Sequence, residues 1–105
     1  MPYQRYETEL FRERLARIRR SDKGTAEQID QVLDRILANP YGWDGLLKGP
    51  RAGQCKKKAV NKKYRIIYKF CRLCLKLKKE KCSDCELPDD AVIFRDVFAR
   101  DEGYD

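Results

Sequence analysis

The sequence predicts an α+β fold in which a pair of N-terminal helices packs on a small antiparallel β-sheet. Two observations favour this class: apolar residues recur at helical spacing early in the chain, and runs rich in aromatic and β-branched residues dominate the second half. A helical pair leaves an apolar face uncovered, which the strands would cover. A length of 105 residues suits one domain, so residues 1–105 are taken as a single unit.

The chain is expected to begin with a short strand followed by a helix. Residues 3–6 suit the strand, and the stretch ETELFRERLARIRR then places Phe11, Leu15 and Ile18 on one helical face. The other faces of this helix are charged. A turn is expected at residues 21–24, where Ser, Asp, Lys and Gly follow one another.

A second amphipathic helix follows the turn. Thr25 and Gln28 have the spacing of a capping box and would open it. Its apolar stripe consists of Ile29, Val32, Leu33, Ile36 and Leu37. Asn39 and Pro40 stop it, because the residue before a proline is disfavoured in helical conformation.

The second half of the chain is expected to be an irregular connection followed by strands. Residues 41–53 contain four glycines and a proline, and Trp43, Leu46 and Leu47 would pack from this connection onto the core. Strands are predicted at residues 54–60, 64–71 and 91–99. The first two form a hairpin, and the third is apolar enough to lie centrally in the sheet.

Positive charge is concentrated in one block. The formal net charge is +7, but residues 51–81 hold thirteen Lys and Arg against the single acid Glu80, a local net charge of +12. Such a block favours a polyanionic partner. No apolar run reaches the ~20 residues of a membrane span, and the N-terminus lacks the apolar core of a signal peptide, so a cytoplasmic protein without a membrane partner is expected.

Four cysteines form a pattern typical of a zinc site. The ligands would be Cys71, Cys74, Cys82 and Cys85, spaced as CxxC-x7-CxxC within an insertion at residues 71–85. A site closed by four thiolates has no open position, so one structural ion stapling a long hairpin is predicted. Buried thiols or a redox-active CxxC pair are the alternatives. Cys55 lies outside the pattern and is expected to be an ordinary semi-buried residue.

Several segments occur in a familiar order: a helix ending in NPY, then LLKG, a basic strand, YRIIY, and a strand ending in Arg with a Tyr nearby. Over roughly residues 6–104, apart from the cysteine insertion, the chain resembles the RelE/ParE toxin family of toxin–antitoxin systems. The resemblance implies an antitoxin partner. RelE-type members cleave messenger RNA on the ribosome, whereas ParE-type members share the fold and poison DNA gyrase, so the site residues must decide between them.

The resemblance to the RelE type also implies a set of catalytic residues. The matching positions in this sequence are Lys56, Lys58, Arg65, Arg100 and Tyr104. Tyr104 follows Arg100 more closely than the family pattern has it. ParE-like members generally lack this full set, which favours the ribonuclease.

The chain has no histidine, so a mechanism with two imidazoles is excluded. Crowded cations disfavour the charged ammonium, and Lys56 or Lys58 would then take the proton from a 2′-OH. Arg65 would hold the scissile phosphate and Arg100 would stabilise the transition state or help protonate the leaving group. Tyr104 would stack on or orient a base, and the product would be a 2′,3′-cyclic phosphate.

The remaining lysines of the block are interpreted as RNA-backbone contacts or solvated residues, namely Lys57, Lys62, Lys63, Lys76, Lys78 and Lys79. Three alternatives to catalysis stay open: a solvated or merely phosphate-binding strand face, a gyrase inhibitor, and a non-catalytic zinc-containing nucleic-acid-binding module. Tyr64, Tyr68 and Phe70 alternate along their strand. They could stack on bases, but packing against the helices is the preferred interpretation.

Overall fold

The computed structural model describes residues 3–47, 53–73, 88 and 90–99. Within these ranges the chain forms two helices and five strands with described bounds, and residues 71–73 are also helical. They are, in chain order, β1 (Gln4–Glu7), α1 (Glu9–Ser21), α2 (Lys23–Ala38), β2 (Gly45–Leu46), β3 (Cys55–Ala59), β4 (Tyr64–Phe70) and β5 (Ala91–Ala99). The predicted α+β class is confirmed, with a helical hairpin packed on a small sheet.

The sheet is mixed, with the strand order β1-β5-β4-β3-β2. The pairs β3–β4 and β4–β5 are antiparallel, as predicted, and β5 lies in the interior of the sheet. The short strand β2 falls within the segment predicted to be an irregular connection, and it pairs antiparallel with β3. The expectation of an entirely antiparallel sheet fails at one edge, where β1 pairs parallel with β5. Two helices separate β1 from the other strands, so no hairpin turn dictates its direction.

The junction between the helices is one residue, Asp22. The predicted four-residue turn and the capping box at Thr25 are therefore wrong. The Asp22 carboxylate accepts hydrogen bonds from the backbone N–H of Thr25 at 3.1 Å and from its hydroxyl at 2.8 Å. Because aspartate is an effective N-cap, it lets α2 begin at Lys23. Thr8 caps α1 in the same way, by accepting from the N–H of Phe11.

The core lies between the helical pair and one face of the sheet. Its members include Phe11, Leu15, Ile29, Leu33, Ile36, Ile66, Tyr68, Phe70, Phe94 and Val97. Packing is thus confirmed as the role of Tyr68 and Phe70, and Tyr64 packs against the same cluster. Trp43 also packs there, but Leu46 is 40% exposed, so its predicted burial is wrong. Of the helices that the structure describes, none has the length and apolar character needed to cross a membrane.

Candidate functional site

The hairpin of β3 and β4 separates core residues from cations. Cys55, Ala59 and Ile66 belong to the core beneath the helices. Because side chains alternate between the faces of a strand, Lys56 and Lys58 lie on the opposite face of the sheet. Arg65 joins them there, since it pairs directly with Lys58. These three cations, Lys56, Lys58 and Arg65, are called the basic face below.

Strand register places the members of the basic face at defined separations. Directly opposed residues in an antiparallel pair have Cβ atoms about 4.5–5.5 Å apart, and this applies to Lys58 and Arg65. Lys56 is opposed by Ile67, one step further along the sheet. The three cations are therefore neighbours on one surface, as their sequence spacing indicates.

The guanidinium of Arg65 is the most unusual group in this region. Its Nη1 atom is buried, and within the described part of the chain it has no hydrogen-bond partner. The same residues provide no ion pair for Arg65. A buried donor without a partner costs about 1–3 kcal/mol, and more when it is charged. An anionic oxygen bound at this point would remove that cost.

The acid nearest to Arg65 by register is already engaged. Asp96 opposes Ile67, so it lies on the same face as Arg65 and one residue pair away. Its Oδ1 accepts a hydrogen bond from Arg14 Nη1 at 2.9 Å and another from the N–H of Val97 at 2.8 Å. Asp96 thus forms its ion pair with α1 rather than with Arg65.

The two lysines of the basic face have different surroundings. Lys56 is half-buried, and its side chain extends over Gly45 of β2, where a Cβ atom would lie 3.4 Å from Lys56 Cε and 3.8 Å from Nζ. Lys58 is exposed. Two bonds from Asp44 hold this edge: its N–H donates to the Lys56 carbonyl, and its Oδ2 accepts from the Lys58 N–H at 2.7 Å.

The residues predicted to contact the RNA backbone fall in two places. Lys57 projects to the other side of β3, where its Nζ donates to the Gly42 carbonyl at 2.7 Å. Lys62 and Lys63 are exposed in the turn that joins β3 to β4. This turn follows the Ala59–Tyr64 pair directly, so both lysines lie one step beyond the basic face.

Arg100 and Tyr104 lie outside the described residues. The last residue of β5, Ala99, pairs with Tyr64, and Phe98 pairs with Arg65. The strand that precedes Arg100 in sequence therefore ends beside the basic face. Neither the role of Arg100 nor that of Tyr104 is tested by this arrangement.

The predicted zinc ligands are described only at Cys71. Its side chain is buried in a small cluster with Ala91 and Ile93, next to the end of β4. Cys74, Cys82 and Cys85 lie outside the described residues. Among residues whose positions are described, no group of three or more His, Cys, Asp or Glu is placed to hold a metal ion. The four-cysteine site stays a prediction.

Cys55 is more deeply buried than expected, with no exposed surface. It opposes Tyr68 across β3 and β4, and burial raises the pKa of its thiol to about 12. The pKa of Tyr68 is also raised, chiefly by burial and then by Cys55. A thiol held neutral in this way is a poor nucleophile and a poor metal ligand.

Sequence reasoning missed two residues beside the basic face, Asp96 and Arg14. A signal existed for Asp96, because it is an acid within the otherwise largely apolar strand AVIFRDVFA. No comparable signal existed for Arg14, which is one of five arginines in α1. Which of these arginines forms the ion pair with Asp96 depends on how α1 lies against β5.

No protein-family model matches this chain, and no curated protein matches it. Its function must therefore be inferred from its own residues.

Proposed function

We propose that this protein is an RNA endonuclease of the RelE type, which cleaves messenger RNA at the ribosome and is the toxin of a toxin–antitoxin pair. The supporting observation is the buried Arg65 Nη1, without a partner among the described residues, directly across from Lys58. The RelE type is suggested by the resemblance described above. The basic face supplies the chemistry.

Arg65 and Lys58 hold the scissile phosphate. Guanidinium groups bind phosphate oxygens through charge-assisted hydrogen bonds, and a buried, unsatisfied N–H gains most from such a contact. Lys58, exposed and opposed to Arg65, reaches a second oxygen of the same group. Two cations on one phosphate stabilise the charge that develops in the pentavalent transition state.

Lys56 is the best placed acceptor for the 2′-OH proton. Attacking and leaving oxygens stand on opposite sides of the phosphorus, so the base must lie to one side of the groups that hold the phosphate. Lys56 is two residues from Lys58, about 7 Å along the strand on the same face. Its half-buried side chain over Gly45 is more restricted than that of exposed Lys58. A lysine acts as a base only as the neutral amine.

The reaction balances without a further reagent. The neutral amine of Lys56 takes the 2′-OH proton, the 2′-oxygen bonds to phosphorus, and the bond from phosphorus to the 5′-oxygen breaks. The leaving oxygen takes a proton from a neighbouring cation, the role that the resemblance implies for Arg100, or from water. The products are a 2′,3′-cyclic phosphate and a 5′-hydroxyl. DNA lacks the nucleophile and is not cleaved.

The cognate antitoxin would cover the basic face. An acidic or amphipathic helical segment is the simplest complement to a surface that presents Lys56, Lys58 and Arg65. Carboxylates of such a segment could occupy the position of the phosphate beside Arg65. Binding of antitoxin and of RNA would then be mutually exclusive.

One structural zinc ion is proposed for Cys71, Cys74, Cys82 and Cys85, on the strength of their spacing. Four thiolates would complete its coordination, so no step of the reaction passes through the metal. Native mass spectrometry before and after chelation tests it. The expected result is the loss of one zinc mass, and identical masses in both samples would refute the site.

The decisive experiment compares variants of adjacent lysines in a translation extract. Wild type and Lys57→Ala should produce new transcript 5′ ends within translated codons, because Lys57 lies on the other side of β3. Lys56→Ala should lower the cleavage rate by about 10²-fold or more, the scale of general base catalysis. Arg65→Ala should also lose cleavage. Circular dichroism would establish that each variant is folded.

Three other outcomes would refute catalysis by the basic face. Intact transcripts with folded, metal-loaded wild type would exclude the endonuclease. Inhibition of DNA supercoiling in the same samples would identify a gyrase inhibitor. RNA binding without strand cleavage, unchanged by Lys56→Ala, would identify a non-catalytic binding module.

A further inference from the structure

A buried carboxylate lies on the strand next to the cation that is proposed to hold the phosphate. Asp96 is 6% exposed and, by register, is on the same side of the sheet as the basic face, diagonal to Arg65 on the neighbouring strand. Diagonal neighbours in a sheet have Cα atoms about 7–8 Å apart, within the reach of a long side chain. An ion pair with Arg65 would require the Asp96 carboxylate to turn from its present hydrogen bonds toward β4, and it would neutralise Arg65.

Two donors direct Asp96 elsewhere. Its Oδ1 accepts from the N–H of Val97, the next residue in the chain, which folds the carboxylate back along β5. Arg14 Nη1, from α1, donates to the same oxygen at 2.9 Å and provides the opposite charge. The buried carboxylate thus has its counter-ion and Arg65 Nη1 stays without a partner among the described residues.

We propose that Arg14 is a positioning residue, which retains Asp96 and thereby keeps Arg65 available to phosphate. This inference rests on the proposed function and adds to it a residue outside the basic face. Without Arg14, Asp96 would be a buried charge without a counter-ion. Such a charge is strongly destabilising, and Arg65 is the neighbouring cation that could satisfy it.

The test measures binding of a single-stranded 2′-O-methyl RNA oligonucleotide, which has no free 2′-OH and stays intact, by fluorescence anisotropy at several salt concentrations. Arg14→Ala should weaken affinity about tenfold, the scale of one charged hydrogen bond. The slope of log affinity against log salt should fall by about 0.7, the loss of one phosphate contact. Arg14→Ala/Asp96→Asn should bind as wild type does, because a neutral amide does not compete for Arg65.

Arg17→Ala is the matched control. It removes the same charge from the exposed part of the same helix, without a contact to Asp96. It should leave both affinity and salt slope near those of wild type. Comparing Arg14→Ala with Arg17→Ala separates the specific effect of Arg14 from the general electrostatic effect of removing one positive charge from α1. Because Asp96→Asn also removes the buried unpaired charge that destabilises Arg14→Ala, the free energy of unfolding of each variant is measured by urea denaturation beside its affinity. The expected result is a lower affinity of Arg14→Ala under conditions where it is fully folded, restored by Asp96→Asn.

The outcomes distinguish failure of the proposed role of Arg14 from failure of the proposed phosphate site. If wild type binds tightly, Arg65→Ala binds weakly and Arg14→Ala behaves as Arg17→Ala does, only the role of Arg14 is refuted. Weak binding by Arg14→Ala without rescue by Asp96→Asn refutes it as well. If wild type binds no better than Arg65→Ala, the basic face is not the phosphate site, and both proposals fall.

Discussion

Replacement of Lys62 by glycine should stabilise the protein, because the turn between β3 and β4 holds residues with side chains in left-handed conformation. Val60, Asn61 and Lys62 have φ values of 54°, 54° and 69°. This conformation costs about 1–2 kcal/mol for a residue with a Cβ atom. Glycine avoids that cost, but it also raises the conformational entropy of the unfolded chain, which lowers the free energy of unfolding by about 0.4–1 kcal/mol. Lys62→Gly should therefore raise the free energy of unfolding by about 0.5–1 kcal/mol.

Lys63→Gly provides the matched control. Lys63 is the adjacent residue, equally exposed and of equal charge, but its φ is not positive. Glycine there gains nothing and should lower the free energy of unfolding by about 0.5–1 kcal/mol. Urea denaturation followed by circular dichroism would show the two midpoints moving in opposite directions. Shifts of the same sign and size in both variants would refute the left-handed turn.

Three further predictions concern single buried or capping groups. Tyr68→Phe should cost about 1–3 kcal/mol in urea denaturation, because the buried Pro40 carbonyl loses the hydroxyl that donates to it at 2.7 Å. Cys55, whose pKa burial raises to about 12, should resist iodoacetamide in the native protein at pH 7.5; rapid labelling in peptide maps would contradict this. Hydrogen bonds from Thr25 lower the pKa of Asp22, so its contribution to stability should be lost as the pH falls below the ordinary value of 3.8. Asp22→Ala should remove that part of the acid dependence of the unfolding midpoint.

Local patterns were sufficient for most of the fold. The stripe from Ile29 to Ile36 reports burial on one side of α2, and the aromatic and β-branched residues of β4 report a strand, in which Ile66 and Ile67 on opposite faces are both fully buried. The errors arose where one residue or one distant contact decides. Asp22 ends one helix and caps the next, and β1 pairs in parallel with a strand more than eighty residues away in sequence. No periodicity within a segment encodes either choice.

The site was predictable to the extent that it lies on one hairpin. The spacing of Lys56 and Lys58 alone places both on one face of a strand. The opposition of Lys58 to Arg65 further requires the register that the turn sets. The retention of Asp96 by Arg14 requires the docking of α1 beside β5, a long-range contact with no local signature.

The core and the basic face are consequences of the same strand register. A slip of β3 by one residue would turn Lys56 and Lys58 toward α2, while Cys55 and Ala59 would face outward. Burial of two unpaired ammonium groups would cost several kcal/mol each, far more than the exposure of two small apolar side chains. Cys55 and Ala59 therefore maintain the opposition of Lys58 and Arg65, although neither contacts the proposed substrate. Lys57 is the one cation of β3 that this register directs to the side of the core. Its ammonium group donates a hydrogen bond to the Gly42 carbonyl.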